Sequence, residues 1–194
     1  MPVAALRGEQ LAQSAAMTAA YAATVRALIA VITLNQQVKE LQGQVEAHFG
    51  QYADAEIYRS QPGMGAILGA RVLAEFGDDP CRYAHAKACQ NYAGTSSITL
   101  ASGKKKVIAA RFIHNDRLIV ALRAQALAAL GASPGARAFY DAQRTRGLEH
   151  KDALRPPANR LVGNLHGCLK TRTLHDEATA WGQRENLPQS SVAA

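Results

Sequence analysis

Apolar residues recur along most of this chain in steps of three and four, the spacing of helices that bury one face. Between Val31 and Val45 the positions Val31, Leu34, Val38, Leu41 and Val45 form a seam, while Asn35, Gln36, Gln37, Lys39, Glu40, Gln42, Gln44 and Glu46 fill the other faces. Two readings fit the seam: a short coiled-coil arm ending near Phe49, or a plain amphipathic helix laid against the rest of the chain. Gly43 is its weak point. The first twenty or so residues, rich in Ala and Gln, tolerate a helix without defining its start.

The next helical run is organised around a turn. Asp54 to Ser60 predicts a short helix, and Pro62-Gly63-Met64-Gly65 predicts a tight turn. Ala66 to Phe76 predicts a second helix, with Ile67, Leu68, Val72, Leu73 and Phe76 apolar and Gly77 closing it. After such a turn the first helical N–H groups lack carbonyl partners and lie at the positive end of the helix dipole. Gly63, Gly65 and Ala66 are therefore candidate phosphate contacts, the alternative being an ordinary turn between two helices. Asp78-Asp79-Pro80 predicts the cap of a further helix from about Cys81 to Tyr92, ended by Gly94. On it Cys81, His85 and Cys89 would share one face. Successive turns of one helix rarely supply three zinc ligands, so that face is expected to be core and no metal is assigned.

Thr95 to Leu100 is the one clearly β-favouring stretch, with Val107-Ile108 and Arg111-Phe112 as its partner. Helical periodicity returns from Asn115 to Leu130, closed by Gly131. It resumes at Ser133-Pro134, where Ser133 reads as the N-cap and Pro134 as the first helical residue of a helix ended by Gly147. Further helices are expected over 150–154 and 157–169, and a frayed tail after Trp181. The expected architecture is mainly α with room for one short β-hairpin around Ser102. It divides into a lead-in and helical arm over 1–52, a helical domain over 53–181 and a tail over 182–194.

Charge changes the picture. The 194 residues carry 22 Lys/Arg and 15 Asp/Glu, a net +7. Up to Leu100 there are 7 basic and 8 acidic residues, a balance of −1; from Ala101 there are 15 and 7, a balance of +8. A basic second half without an amphipathic basic helix favours a polyanion over a lipid surface. The three cysteines form no CxxC pair, and no signal peptide is evident. The most apolar segment, Val25 to Leu34, carries Arg26 and is short for a bilayer. A soluble cytoplasmic protein is expected.

Ser102 stands between the β-favouring stretches, followed by Gly103, Lys104, Lys105 and Lys106. A hydroxyl beside a glycine is open to a bulky electrophile, and Lys104, Lys105, Lys106 and Arg111 are candidate holders of a phosphodiester and of the charge that grows on its oxygens. A hydroxyl needs a base or metal to take its proton, and the sequence identifies neither. A turn serine that only contacts phosphate or water is the alternative. No Gly-x-Ser-x-Gly elbow is present, so acyl hydrolysis finds no support.

Four stretches carry a family resemblance: SQPGMGAILGARVLAEFGD, YAHAKACQNYAGTSSITLASGKKK, SPGARAFYDAQRTRG and NRLVGNLHGCLKTRT. Together they resemble the C-terminal part of the bacterial insertion-sequence "one-ten" transposases, the Transposase-20 family, over about Arg7 to Trp181. The resemblance implies a helix-hairpin-helix-like element at the glycine turn, a serine nucleophile at Ser102, DNA as substrate and a bridge RNA as guide. It also implies an N-terminal RuvC-type nuclease-like domain whose Asp/Glu tetrad binds magnesium. The segment from Met1 resembles the connecting region, so that domain is expected to lie outside this chain, which is then inactive alone. Asp78 and Asp79 are expected to cap a helix, and Asp116, Asp176 and Glu177 to be surface charges. The expected function is the DNA-binding, serine-bearing portion of a transposase that self-associates through its helical arm. The alternative is a non-catalytic nucleic-acid-binding or oligomerisation module.

Overall fold

The computed structural model describes residues 14–79, 81–103 and 105–182. The fold is mainly helical with one two-stranded antiparallel sheet, and the chain divides after Gln44 into two units. The expected tail from 183 on and the start of the lead-in lie outside the described residues.

Helix α1 (Ala15–Gly50) runs unbroken through Gly43 for 36 residues, about 54 Å at the α-helical rise. Val31, Leu34, Val38, Leu41 and Val45 are all exposed. Among the described residues α1 is the one single helix whose length and composition would let it cross a membrane. The limit of Val25–Leu34 drawn from the sequence is too narrow, because the Ala-rich residues before it belong to the same helix. Within that stretch Arg26 is a charged residue that hydrocarbon disfavours, and from Asn35 onward most faces are polar.

The second unit takes in the end of α1. Phe49 is buried, packs edge-on against Tyr58 with ring centroids 6.1 Å apart, and lies over Gly69. Helices α2 (Ala55–Ser60) and α3 (Ala66–Phe76) flank the glycine turn as the sequence predicts. Helix α4 (Ala86–Tyr92) is shorter than expected. Asp79 Oδ1 accepts from the Cys81 N–H at 2.8 Å and holds a turn rather than a helix, and the N-cap is His85, whose Nδ1 accepts from the Ala88 N–H at 3.0 Å. Cys81 accordingly lies outside the helix and is exposed, while Cys89 is buried, so the three do not form one core face.

Strands β1 (Ser97–Ser102) and β2 (Lys105–Ala110) form the sheet, followed by α5 (Asp116–Ala132), α6 (Pro134–Thr145), α7 (His150–Ala153), α8 (Arg155–Thr171) and α9 (Glu177–Gly182). Helix α5 touches α3, α6 and α8, and α4 packs on α8. Its Leu118, Ala121 and Leu122 meet Val72, Phe76, Val162 and Leu165 in one cluster; Ala126 and Ala129 meet Ala136, Ala158 and Leu161 in another. Asn115 caps α5 through a 3.0 Å bond from the Leu118 N–H. Gly131 does not close α5; Ser133 does. The Ser133 N–H donates to Ala129 O at 2.9 Å, and its Oγ accepts from the Ala136 N–H at 2.9 Å to start α6. The two helices meet at 108°.

Glu177 fastens that corner and is more than a surface charge. Its Oε1 accepts from Ser133 Oγ at 2.6 Å and from the Gly135 N–H at 2.9 Å, and Oε2 lies 3.2 Å from His175 Nε2. Burial raises its pKa, but the hydrogen bonds from Ser133, Gly135 and His175 outweigh burial and hold it below its ordinary 4.5. A carboxyl depressed in the folded state stabilises fully above its unfolded value, and that contribution fades as pH falls through the folded value. Glu177→Gln is expected to cost about 1–2 kcal/mol at pH 7, the low end for bonds to a charged group because the side chain is 40% exposed. Thermal melts of both proteins from pH 7 to pH 3 check this: the gap between them should close on acidification below the ordinary carboxyl value.

Candidate nucleic-acid interface

The sheet is a hairpin with Ser102 opposite Lys105 and Ala101 opposite Lys106 at one end, and Ser97 opposite Ala110 at the other. Gly103 turns the chain with φ +57°, a value glycine takes without strain. Ser102 is exposed beside it. By strand alternation Ser102 shares a face with Leu100, which pairs with Val107, and both of those apolar residues are exposed. Lys104 lies outside the described residues. Lys105 and Lys106 take the first two positions of β2, their side chains likewise outside the described part.

The root of the hairpin is clamped. Asn91 Oδ1 accepts from Ser96 Oγ at 2.6 Å and from Arg111 Nη2 at 3.2 Å. Thr95 Oγ1 donates to Asn159 Oδ1 at 3.1 Å, and Gln90 Nε2 to Asn159 O at 2.8 Å, which ties α4 and the hairpin to α8. Arg111 thus belongs to the root. A six-residue strand places the Ala110 end about 17 Å from Ser102, so the structure leaves the two lysine positions beside the hydroxyl and separates Arg111 from it.

The glycine turn lies elsewhere. Gly63, half-buried with φ +72°, packs on the backbone of α5: a Cβ there would stand 2.5 Å from Ala129 N and 2.6 Å from Gln125 O. Gly65 is exposed and extended, Ala66 is half-buried, and no side chain caps the start of α3. The hairpin leads into α5 at Asn115 whereas the turn meets α5 near Ala128, about 20 Å further along the helix. The candidate phosphate contacts therefore fall at two stations on α5 and not in one pocket.

Several of the described acidic residues have partners of their own. Asp116 pairs with His114 at 3.1 Å, Asp176 accepts from the Thr179 N–H at 2.8 Å, Glu177 fastens the corner, and Asp54 pairs with Arg172. Among the described residues no group of three His, Cys, Asp or Glu is placed to hold a metal ion. Burial pushes the Cys89 thiol up to about 12, away from the thiolate that a metal requires.

Sequence reasoning missed three features here. Asn91 and Asn159 organise the hairpin root, yet their partners include residues 64 and 69 positions away, beyond any local spacing. A cavity of about 320 Å³ opens among Tyr52, Tyr58, Phe76, Tyr83, Leu165 and Leu169, beside the Asp54–Arg172 pair. Burial raises the pKa of Tyr58 and pushes Tyr83 up to about 12, keeping both phenols neutral there. Phe112 and Ile113 stand out from the surface, 91% and 84% exposed, and the first of them lies beyond the strand in which the sequence suggested it. The Arg-Phe-Ile run ahead of an Asn N-cap is the signal that would have found them.

Known proteins resemble this chain in sequence. The sequence profile of the transposase IS116/IS110/IS902 family matches residues 55–141, from α2 into α6. The chain is 50% identical over 137 residues to the candidate mini-circle transposase for IS117 of Streptomyces coelicolor, covering 71% of this chain and 33% of that protein. It is 33% identical over 161 residues to an uncharacterized 42 kDa protein of insertion element IS900 from Mycobacterium paratuberculosis, covering 81% of this chain and 40% of the relative. An uncharacterized 44.8 kDa protein of insertion element IS116 from Streptomyces clavuligerus is 30% identical over 149 residues, 76% of this chain and 37% of the relative. The chain thus spans between a third and two fifths of the length of these relatives. The segment 55–141, which carries the glycine turn, the hairpin and Ser102, is thus the part of this chain that matches the transposase IS116/IS110/IS902 family.

Proposed function

We propose that this chain is the DNA-contacting, serine-bearing portion of an insertion-sequence transposase. The observation that carries the reading is the placement of Ser102: an exposed hydroxyl at the tip of a clamped hairpin, opposite Lys105, inside the segment that matches the transposase family. In this reading Ser102 Oγ attacks a DNA phosphodiester, a P–O bond to one deoxyribose breaks, and the strand is held as a phosphoserine until a second strand's hydroxyl displaces it. The proton of Ser102 leaves to a base outside this chain. Lys104, Lys105 and Lys106 hold the phosphate under attack, Arg111 holds one further along the strand, and the N–H groups of Gly63, Gly65 and Ala66 hold another. The exposed seam of α1 pairs with a second copy, a bridge RNA guides the assembly, and the complex acts in the cytoplasm on the nucleoid.

The test is the salt dependence of DNA binding by the purified chain. Binding should weaken steeply with salt, with a slope of log K against log salt of about −3 or steeper, and Lys105→Gln and Lys106→Gln should each reduce the slope by about one. Salt-insensitive binding, or none, would count against the reading.

A further inference from the structure

An aromatic side chain that is almost wholly exposed needs an explanation when the backbone carrying it is held in place. On one side of Phe112 and Ile113, Arg111 is fixed to Asn91 Oδ1 at 3.2 Å, and the Arg111 carbonyl lies 3.1 Å from His114 Nδ1. On the other side, His114 packs over Gly94 and pairs with Asp116 at 3.1 Å. The Asn115 N–H reaches Tyr92 O at 3.4 Å, and Asn115 Nδ2 donates to Glu75 Oε2 at 2.7 Å. The segment is pinned at both ends while Phe112 is 91% and Ile113 84% exposed. A pinned, almost wholly exposed apolar pair is available to contact a partner without first being unfolded or reordered.

The charges around it point to the occupant. Arg71 Nη2 donates to the Arg117 carbonyl at 3.1 Å, which brings two arginines together at the start of α5. Among the described residues no ion pair engages either. The nearby acids are engaged, Asp116 by His114 and Glu75 by Asn115. An apolar pair with arginines on the same segment and next to it, in the half of the chain that carries the excess positive charge, is complementary to stacked bases bordered by phosphates.

We propose that Phe112 and Ile113 form an apolar wedge that enters the base stack of the bound DNA, with Arg71 and Arg117 on the phosphates beside it. Phe112 stacks on one base while Ile113 fills the opened step, which partly unstacks the strand next to the hairpin. The wedge rests on the DNA-binding reading above and adds to it a residue pair that contacts bases.

The test uses the whole chain and DNA duplexes carrying 2-aminopurine at successive positions, whose fluorescence rises when the base unstacks. Binding of the native chain should raise it at some positions. Phe112→Ala/Ile113→Ala should abolish the rise and weaken binding about ten-fold, with the salt slope unchanged. Phe112→Trp should keep the signal. Arg71→Gln and Arg117→Gln should each lower the salt slope by about one. Both apolar side chains are exposed, so the double variant should melt as the native chain does, and a melt confirms that it folds. A double variant that binds with native affinity and still unstacks the probe would overturn the wedge while leaving DNA binding in place. So would a change in oligomeric mass, which would assign the pair to self-association. A native chain that binds no DNA would overturn both readings together.

Discussion

Gly63→Ala should be among the most damaging single-atom additions in the molecule. The residue holds φ +72°, which costs an L side chain about 1–2 kcal/mol. The added Cβ would also lie 2.5 Å from Ala129 N, 2.6 Å from Gln125 O and 2.9 Å from Ala128 C, all backbone atoms of α5. A helix backbone cannot step aside as a flexible side chain can, and overpacking of this kind adds about 1–3 kcal/mol. The combined cost of about 3 kcal/mol or more should lower the melting temperature by roughly 10 °C in a chain of this size. Gly65→Ala is the control. Gly65 is extended with nothing within 4 Å of a Cβ, and this change should cost no more than about 1 kcal/mol. Equal melting temperatures for the two variants would refute the assignment of Gly63 as a packing glycine.

Ser102→Ala carries the largest expected effect on chemistry. The residue is exposed at the hairpin tip, so its loss should leave stability within about 0.5 kcal/mol of native. DNA binding by the lysine positions should persist. When the chain is joined to the remaining portion of a full-length relative, formation of a covalent protein–DNA joint should fall by at least about 1000-fold. Electrophoresis under denaturing conditions with end-labelled DNA reads this directly. A joint that survives the substitution would transfer the nucleophile's role to another residue.

The parts of this fold that were legible in the sequence are those fixed by neighbours. Ser133-Pro134 announced α6 because a hydroxyl and a ring-locked φ act within one turn. The Thr95–Leu100 stretch and Ser102-Gly103 announced the hairpin through β-branched content and a glycine turn, although β2 ends at Ala110 before the expected Arg111-Phe112. Local rules failed where a side chain did a different local job. Asp79 and Pro80 look like a helix start, yet the Asp79 carboxylate is used on Cys81 two residues on, and His85 caps the helix with a ring nitrogen in place of the usual oxygen. What could not be read at all depends on distance along the chain. Asp54 meets Arg172 across 118 positions, a pairing no local spacing announces, and Glu177 meets Ser133 across 44, so Glu177 looked like ordinary surface charge. The site divides in the same way. The exposed hydroxyl at a turn was foreseeable, whereas the burial of Gly63 against α5 and the clamping of Arg111 by Asn91 needed the tertiary fold.

The sheet has only two strands, and among the described residues its side-chain anchors lie at one end. An isolated hairpin of this length is marginal in water, so rigidity must decline outward from Asn91 and Asn159. Amide exchange should be slowest near Ser97 and fastest around Gly103. A tip that stiffens only when it meets a partner surrenders some affinity as ordering entropy, and in return the groups it carries, Ser102 among them, are held in fixed positions only once that partner is engaged.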